Sequence, residues 1–162
     1  MKKFSDFKFK GKKINEQQQN VLRPQNLGSS EPAVEKTEVA SFISKLFEAR
    51  EMAHVFHLSV NGEPGSHAIH TALGEFYESL LGFIDELTEV YQGQYDLVEN
   101  YDVIDTSAAK DRQYIPYFES FAQFVKQGRK TAFSPEDTHL QNIIDEIIAL
   151  NYRLLYKLKF NK

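Results

Sequence analysis

The chain contains no cysteine among its 162 residues. Disulfide bonds, thiolate metal sites and cysteine nucleophiles are therefore excluded, and the composition is compatible with a reducing compartment. The sequence also lacks any run of about 18 apolar residues, so we expect no membrane-spanning helix and no membrane partner. The lysine-containing N-terminus has no apolar stretch of the kind that a secretory signal requires. These absences favour a cytoplasmic location.

The residues that are present favour one globular body with a charged extension. Hydrophobic residues make up 41% and aromatic residues 13% of the sequence, which is enough for a sizeable core at this length. The net charge is −4, but residues 1–13 combine six lysines with a single acid. Residues 37–162 carry 11 basic and 19 acidic side chains. The sequence therefore predicts a basic, polar arm at residues 1–36 and an acidic folded body at residues 37–160.

Apolar residues recur at spacings of three and four from about Val39 onwards, which predicts helices. Pro116 predicts either a kink in the third helix or its true start near Ile115. Turn and capping residues divide the pattern into four helices, at residues 37–59, 66–92, 109–130 and from Ser134 onwards. Two short turns and one longer connection, with room for a short helix, describe an all-α, ferritin-like four-helix bundle with one long crossover and an extended N-terminal arm.

Imidazole and carboxylate ligands suit iron and zinc, and two predicted helices carry them at His57, His70, Asp85 and Glu89. On one helix, His70 lies about 22 Å from Asp85 and about 28 Å from Glu89, because each residue rises ~1.5 Å. At 100° per residue, however, these three residues lie within one sector of the helix. Two such helices packed antiparallel about a twofold axis would place His70 of one copy near Asp85 and Glu89 of the other. The pair would then hold two equal metal sites.

His54 and His67 each lie three residues before a candidate ligand, so four of the five histidines gather around one turn. We regard both as accessory candidates. For any one of these histidines the alternative interpretation is an ordinary hydrated surface near a loop. For Asp85 and Glu89 the alternative is a solvated acidic helix face, since other acids lie nearby.

A family resemblance is carried by FHLSVNG at residues 56–62, HAIH at 67–70 and DELTE at 85–89. With these spacings the chain resembles Dps, the DNA-binding proteins from starved cells, which are miniferritins. YDVI at residues 101–104 also looks like the crossover of that family. The resemblance implies a four-helix protomer, a twofold ferroxidase site with ligands at His57, His70, Asp85 and Glu89, and a hollow dodecamer. It also implies iron oxidation by peroxide or oxygen, and DNA binding through a lysine-rich tail.

Two residues depart from the family pattern. Gly74 stands where an aspartate ligand is usual, and Leu58 stands where a tryptophan is usual. Two functions therefore remain open. One is a Dps-like iron-binding ferroxidase. The other is a non-enzymatic bundle that has kept the fold and lost the metal, such as a bacteriophage virion or assembly component, because tailed phages encode Dps-like proteins of similar size. The second function would replace the cytoplasmic location with the virion.

The basic arm offers lysine and phenylalanine side chains to a partner, at Lys2, Lys3, Phe4, Phe7, Lys8, Phe9, Lys10, Lys12 and Lys13. Lysines neutralise phosphates and aromatic rings stack on bases, which predicts non-specific DNA binding. Alternatively, the phenylalanines dock the arm on a larger protein assembly. A short lysine run also occurs as a simple solubilising tail.

Overall fold

The computed structural model describes residues 36–62 and 64–160, with the side chains of residues 38–62 and 64–160. These residues belong to the second of two units, Met1–Pro32 and Ala33–Lys162, into which the chain divides. No strand occurs among the described residues. The helices are α1 (Lys36–Ser59), α2 (Ser66–Gln94), α3 (Tyr114–Ala132) and α4 (Thr138–Phe160), with a short 3₁₀ helix (Ser107–Asp111) before α3. The predicted all-α four-helix bundle is confirmed, whereas the predicted arm lies outside the described residues.

Each helix packs against two neighbours around one apolar core. α1 contacts α2 and α3, and α4 contacts the same two helices, so α2 and α3 stand at opposite corners. Phe56 near the end of α1 packs on Tyr114 at the start of α3, with ring centroids 5.0 Å apart. Lys157 near the end of α4 pairs with Glu75 near the start of α2. With a short turn within each helix pair, every neighbouring pair in the bundle is therefore antiparallel.

The connection between α2 and α3 is the long crossover that the sequence predicts. Because α2 and α3 are parallel and diagonal, this connection has to return along the bundle, and it does so over α1. The Tyr101 ring packs edge-on against Phe47 of α1, with centroids 6.3 Å apart. The backbone N–H of Asp102 donates to Oγ of the buried Ser44 at 2.8 Å. The predicted short helix in this connection is the 3₁₀ helix.

The predicted start of the third helix near Ile115 is confirmed, because α3 begins at Tyr114 and Pro116 lies in its first turn, where a missing N–H costs nothing. Two other predicted helix boundaries are wrong. α2 continues through Gly93 to Gln94, and α4 begins at Thr138 rather than Ser134. Residues 134–137 instead form a turn, in which the Asp137 N–H donates to the Ser134 carbonyl at 3.1 Å. Serine and proline favour the first two positions of a turn as much as a helix start, so the motif was ambiguous.

The core is built largely from phenylalanine, leucine and isoleucine. The largest fully buried side chains include Phe42, Phe56, Phe76, Phe118 and Phe121. Edge-to-face pairs join them across helices, such as Phe76 with Phe118 at 5.0 Å. Such pairs fix ring orientation as well as burying area. Among the described residues, no helix is both long and apolar enough to cross a membrane.

Candidate metal site at the turn between α1 and α2

The turn at residues 60–65 brings the end of α1 against the start of α2. Gly62 and Gly65 have φ angles of 53° and 80°, in the left-handed region that glycine adopts without a steric penalty. The chain therefore reverses within six residues. His57, in the last turn of α1, then lies beside His70, in the second turn of α2.

The imidazole rings of His57 and His70 stack on each other. Their centroids are 3.6 Å apart and their planes differ by 25°. His57 is partly buried, whereas His70 is exposed. The structure thus brings together, within one chain, the two histidines that the sequence predicted as metal ligands.

Each of these rings hydrogen-bonds the backbone of the other residue. His57 Nδ1 donates to the His70 carbonyl at 2.8 Å, and His70 Nδ1 donates to the His57 carbonyl at 3.1 Å. A carbonyl oxygen only accepts, so both Nδ1 atoms must carry a proton. In the neutral rings the lone pairs are then on Nε2. Metal-binding histidines in proteins commonly show this arrangement, in which a carbonyl fixes the tautomer and leaves Nε2 as the ligand atom.

The same bonds complete the end of α1. The last four carbonyls of a helix have no partner within the helix, and His57 belongs to the last turn of α1. The His57 carbonyl accepts from the His70 ring, and the Phe56 carbonyl accepts from Ser59 Oγ at 2.8 Å. The histidine pair therefore has a structural role: it fastens the end of α1 to the start of α2. We call this arrangement of His57 and His70 the histidine clasp.

Gly74 makes room for the clasp. It is buried on α2, one turn after His70. A Cβ atom added at Gly74 would lie 3.3 Å from Cε1 and 3.4 Å from Nδ1 of the His57 ring, which is tighter than ordinary van der Waals contact. The resemblance to Dps implies at this position only the loss of an aspartate ligand. In the structure, the His57 ring lies against the Gly74 backbone, in the space that a larger side chain would need.

The Tyr77 ring packs beside the clasp and contacts two of its neighbouring histidine rings. Its ring lies 4.5 Å from the His54 ring and 5.4 Å from the His57 ring, centroid to centroid. Of the two accessory candidates, His54 therefore belongs to the cluster through Tyr77. His67 is exposed on the first turn of α2. Sequence reasoning missed Tyr77, although its position seven residues after His70 places it on the same side of α2.

Asp85 and Glu89 do not join the clasp within one chain. Both are exposed on α2, and the helical rise keeps Asp85 about 22 Å from His70. Among the described residues of a single chain, no group of three or more histidines and carboxylates is close enough to hold a metal ion. One chain therefore presents two imidazoles at one end of α2 and two carboxylates nearer the other.

A second polar cluster fastens the opposite end of the bundle. The buried Asp137 carboxylate accepts from Gln94 Nε2 at 2.8 Å and from the Tyr95 hydroxyl at 2.5 Å. Partial burial and then the neighbouring Asp137 raise the pKa of Tyr95 to about 12. The Nε2 atom of His139, the fifth histidine, lies 2.6 Å from Oε1 of Gln94. This network joins α2 to the start of α4. Because it contains only one carboxylate, too few ligands for a metal site, we assign it a structural role.

Comparisons with known proteins give a family but no activity. No curated protein and no solved structure matches the chain. A family model matches residues 63–158, which hold His70, Asp85 and Glu89 together with the crossover, α3 and most of α4. More than half of the chain is covered, and the chain therefore belongs to DUF5856, a family of unknown function.

Proposed function

We propose that two copies of the chain pair antiparallel about a twofold axis, through the outer faces of α1 and α2, and bind ferrous iron between them for oxidation. The observation that carries the proposal is the pair of contacts between the Nδ1 atoms and carbonyl oxygens in the clasp, from which the tautomer follows. Because both Nδ1 atoms donate to carbonyls, His57 and His70 keep Nε2 as a ligand atom. Each site would take these two imidazoles from one copy and Asp85 and Glu89 from the other.

The proposed symmetry follows from the separation along α2. His70 and the two carboxylates share one sector of the helix but lie about 22–28 Å apart along it. An antiparallel second copy reverses the order of these residues, so that each histidine pair meets a carboxylate pair. An isologous contact of this kind repeats itself and creates two identical sites. A hollow shell of about twelve chains, as the Dps resemblance implies, would be built from such pairs.

The ligand atoms of the proposed site are of types that bind iron, because imidazole nitrogen and carboxylate oxygen are both iron ligands. In the arrangement that the structure shows, however, the clasp cannot bind one metal ion through both rings. We call this arrangement the closed clasp. A metal ion lies in the plane of an imidazole that binds it, and two planes only 25° apart at 3.6 Å do not meet at one ion within bonding distance. One ring must therefore turn, and give up its bond to the carbonyl, before both Nε2 atoms bind the same ion, while the other ring keeps the bond that fixes its tautomer. Iron is the substrate here, with peroxide or oxygen as the electron acceptor.

A second function is favoured by Gly74 and the closed clasp. With the His57 ring against Gly74, the pair already satisfies carbonyl groups at a helix end and needs no metal to be stable. In this alternative the bundle is a structural or interaction module, and the basic arm at residues 1–36 docks it on a larger assembly such as a virion. Deleting residues 1–36 would then abolish incorporation into that assembly.

Iron oxidation by the purified full-length protein tests the first function. Ferric iron is followed by absorbance after addition of ferrous iron and peroxide, together with native mass and metal content. We expect the wild-type protein to oxidise iron faster than buffer alone does. The variants His70→Ala and Glu89→Gln should oxidise it at least tenfold more slowly than the wild type. Glu86→Gln is the matched control, because Glu86 is exposed on α2 but lies outside the sector of His70 and Glu89.

Two outcomes would contradict the ferroxidase function. One is oxidation no faster than in buffer, and the other is equal rates in Glu89→Gln and Glu86→Gln. A monomer or an open ring in the native mass measurement would favour the interaction module instead.

Non-specific DNA binding through the arm is tested separately by electrophoretic mobility shift at several salt concentrations. We expect duplex binding that weakens steeply with salt, because lysine–phosphate contacts release counterions. Deleting residues 1–13 should abolish it, since the rest of the chain is acidic. Binding that survives the deletion would refute the role of the arm.

A further inference from the structure

The crossover between α2 and α3 carries exposed apolar side chains that neither the core nor the histidine clasp uses. Residues 96–106 have no regular secondary structure. Four large apolar residues within eight positions are exposed: Leu97 (63%), Tyr101 (46%), Val103 (92%) and Ile104 (43%). Single exposed apolar residues are normal on a protein surface, whereas a concentration of them marks a contact site. We call these four residues the crossover surface.

The crossover surface is held in place rather than loosely attached. Val98 is buried, and its N–H donates to Gln92 Oε1 at 3.0 Å. Further along, the N–H of Asp102 donates to Ser44 Oγ at 2.8 Å, and the Tyr101 ring packs on α1. A segment fixed at several points loses little conformational entropy when a partner binds. Val103 and Ile104 are therefore part of a surface that is already formed before a partner binds.

The charge of this segment is entirely negative. Between residues 93 and 109 the sequence contains four acids and no lysine, arginine or histidine, and the acids are Asp96, Glu99, Asp102 and Asp105. The Ser107 N–H donates to the Asp105 carboxylate at 2.8 Å, and this bond lowers the pKa of Asp105. The Asp105 carboxylate is therefore ionised at neutral pH. A partner must match apolar side chains and negative charge together.

We propose that the crossover surface binds a lysine-rich peptide segment of a partner protein, whose apolar side chains cover Val103 and Ile104 while its lysines face the four carboxylates. Charge complementarity of this kind fixes specificity and raises the association rate. It disfavours nucleic acid, whose phosphates the acids repel. It also disfavours a twofold contact between two crossover surfaces, because an isologous contact would bring acids against acids.

Fluorescence anisotropy with a labelled synthetic peptide tests the proposal on the full-length protein. The probe has the sequence KFKFKFK, and its matched control EFEFEFE has the same apolar residues and the opposite charge. We expect the lysine probe alone to bind, and to bind several-fold more weakly at 300 mM than at 50 mM NaCl, because salt screens exposed charges. Equal binding of the two probes would overturn the proposal.

Two variants separate the crossover surface from other exposed apolar residues. Val103→Ser, which removes apolar surface without adding charge, should weaken binding of the lysine probe several-fold. Tyr156→Ser, at an exposed apolar residue of α4, should change it less than twofold. Because Val103 is 92% exposed, its substitution should leave the melting temperature almost unchanged, which circular dichroism checks. If Val103→Ser binds the probe as wild type does, or if both variants weaken it equally, the proposed surface is wrong.

Discussion

Replacement of Gly74 by alanine tests the packing of the histidine clasp against α2. An added Cβ atom would lie 3.3 Å from Cε1 and 3.4 Å from Nδ1 of the His57 ring. The ring would have to move, which weakens its bond to the His70 carbonyl. Gly82 is the matched control, because it lies in the same helix and an added Cβ meets nothing within 4 Å.

Two opposing terms set the expected magnitude. Alanine in place of glycine in a helix interior stabilises by about 1 kcal/mol, so Gly82→Ala should raise the free energy of unfolding by about that amount. At Gly74 the same gain is offset by the loss of the His57 hydrogen bond, worth about 1 kcal/mol net. Gly74→Ala should therefore be neutral or slightly destabilising. The two variants should differ by about 1 kcal/mol.

Urea unfolding measures this difference through the midpoint at constant slope. A double-mutant cycle then identifies its cause: in a His57→Ala background, Gly74→Ala should regain its stabilising effect of about 1 kcal/mol, because no ring opposes the new methyl group. If Gly74→Ala stabilises the wild-type protein as much as Gly82→Ala does, the contact between the His57 ring and Gly74 has no energetic role.

Three further predictions concern other parts of the bundle. Gly128→Ala should destabilise by about 1–3 kcal/mol in urea unfolding through overpacking, because its Cβ would lie 2.7 Å from Phe42 Cδ2. Asn151 is buried, its Nδ2 donates to the Phe118 carbonyl at 2.9 Å, and its Oδ1 has no hydrogen-bond partner among the described residues. Asn151→Leu should therefore destabilise by about 1 kcal/mol in urea unfolding through loss of that bond, whereas Asn151→Asp should cost more, because a carboxylate cannot donate to the carbonyl. Because the folded-state pKa of Tyr95 is raised to about 12, neutral Tyr95 contributes stability that is complete below pH 10 and lost as pH rises to 12. Urea unfolding of Tyr95→Phe should therefore depend less on pH in this window than that of the wild type.

The helices were predictable because their apolar residues follow a 3.6-residue period over long stretches. The two short turns and the long crossover followed from glycine and proline positions. The start of α4 was not predictable, since Ser134 and Pro135 suit a turn as well as a helix start. The carboxylate of Asp137 is bound by Gln94 and Tyr95, and such distant partners leave no local signal in the sequence.

The proximity of His57 and His70 was predictable, but the arrangement of their rings was not. A short turn between His57 and His70 implies that the two residues are close. Ring stacking and the choice of tautomer, however, depend on which carbonyl each Nδ1 meets, and spacing alone does not determine this. Gly74 shows the same limit: the Dps resemblance implies only that the usual aspartate is absent there, whereas the structure shows the His57 ring against the glycine backbone.

The shared interface site is the central claim, and mixing two variants tests it most directly. His70→Ala removes a ligand from the imidazole half of the site, and Glu89→Gln removes one from the carboxylate half, so each variant alone should oxidise iron at least tenfold more slowly than the wild type. When equal amounts of the two variants exchange subunits at random, half of the pairs contain one copy of each. In such a mixed pair one of the two sites has all its ligands, so about a quarter of all sites are complete and the rate should be about a quarter of the wild-type rate. A mixture no more active than either variant alone would contradict a site built from two copies of the chain.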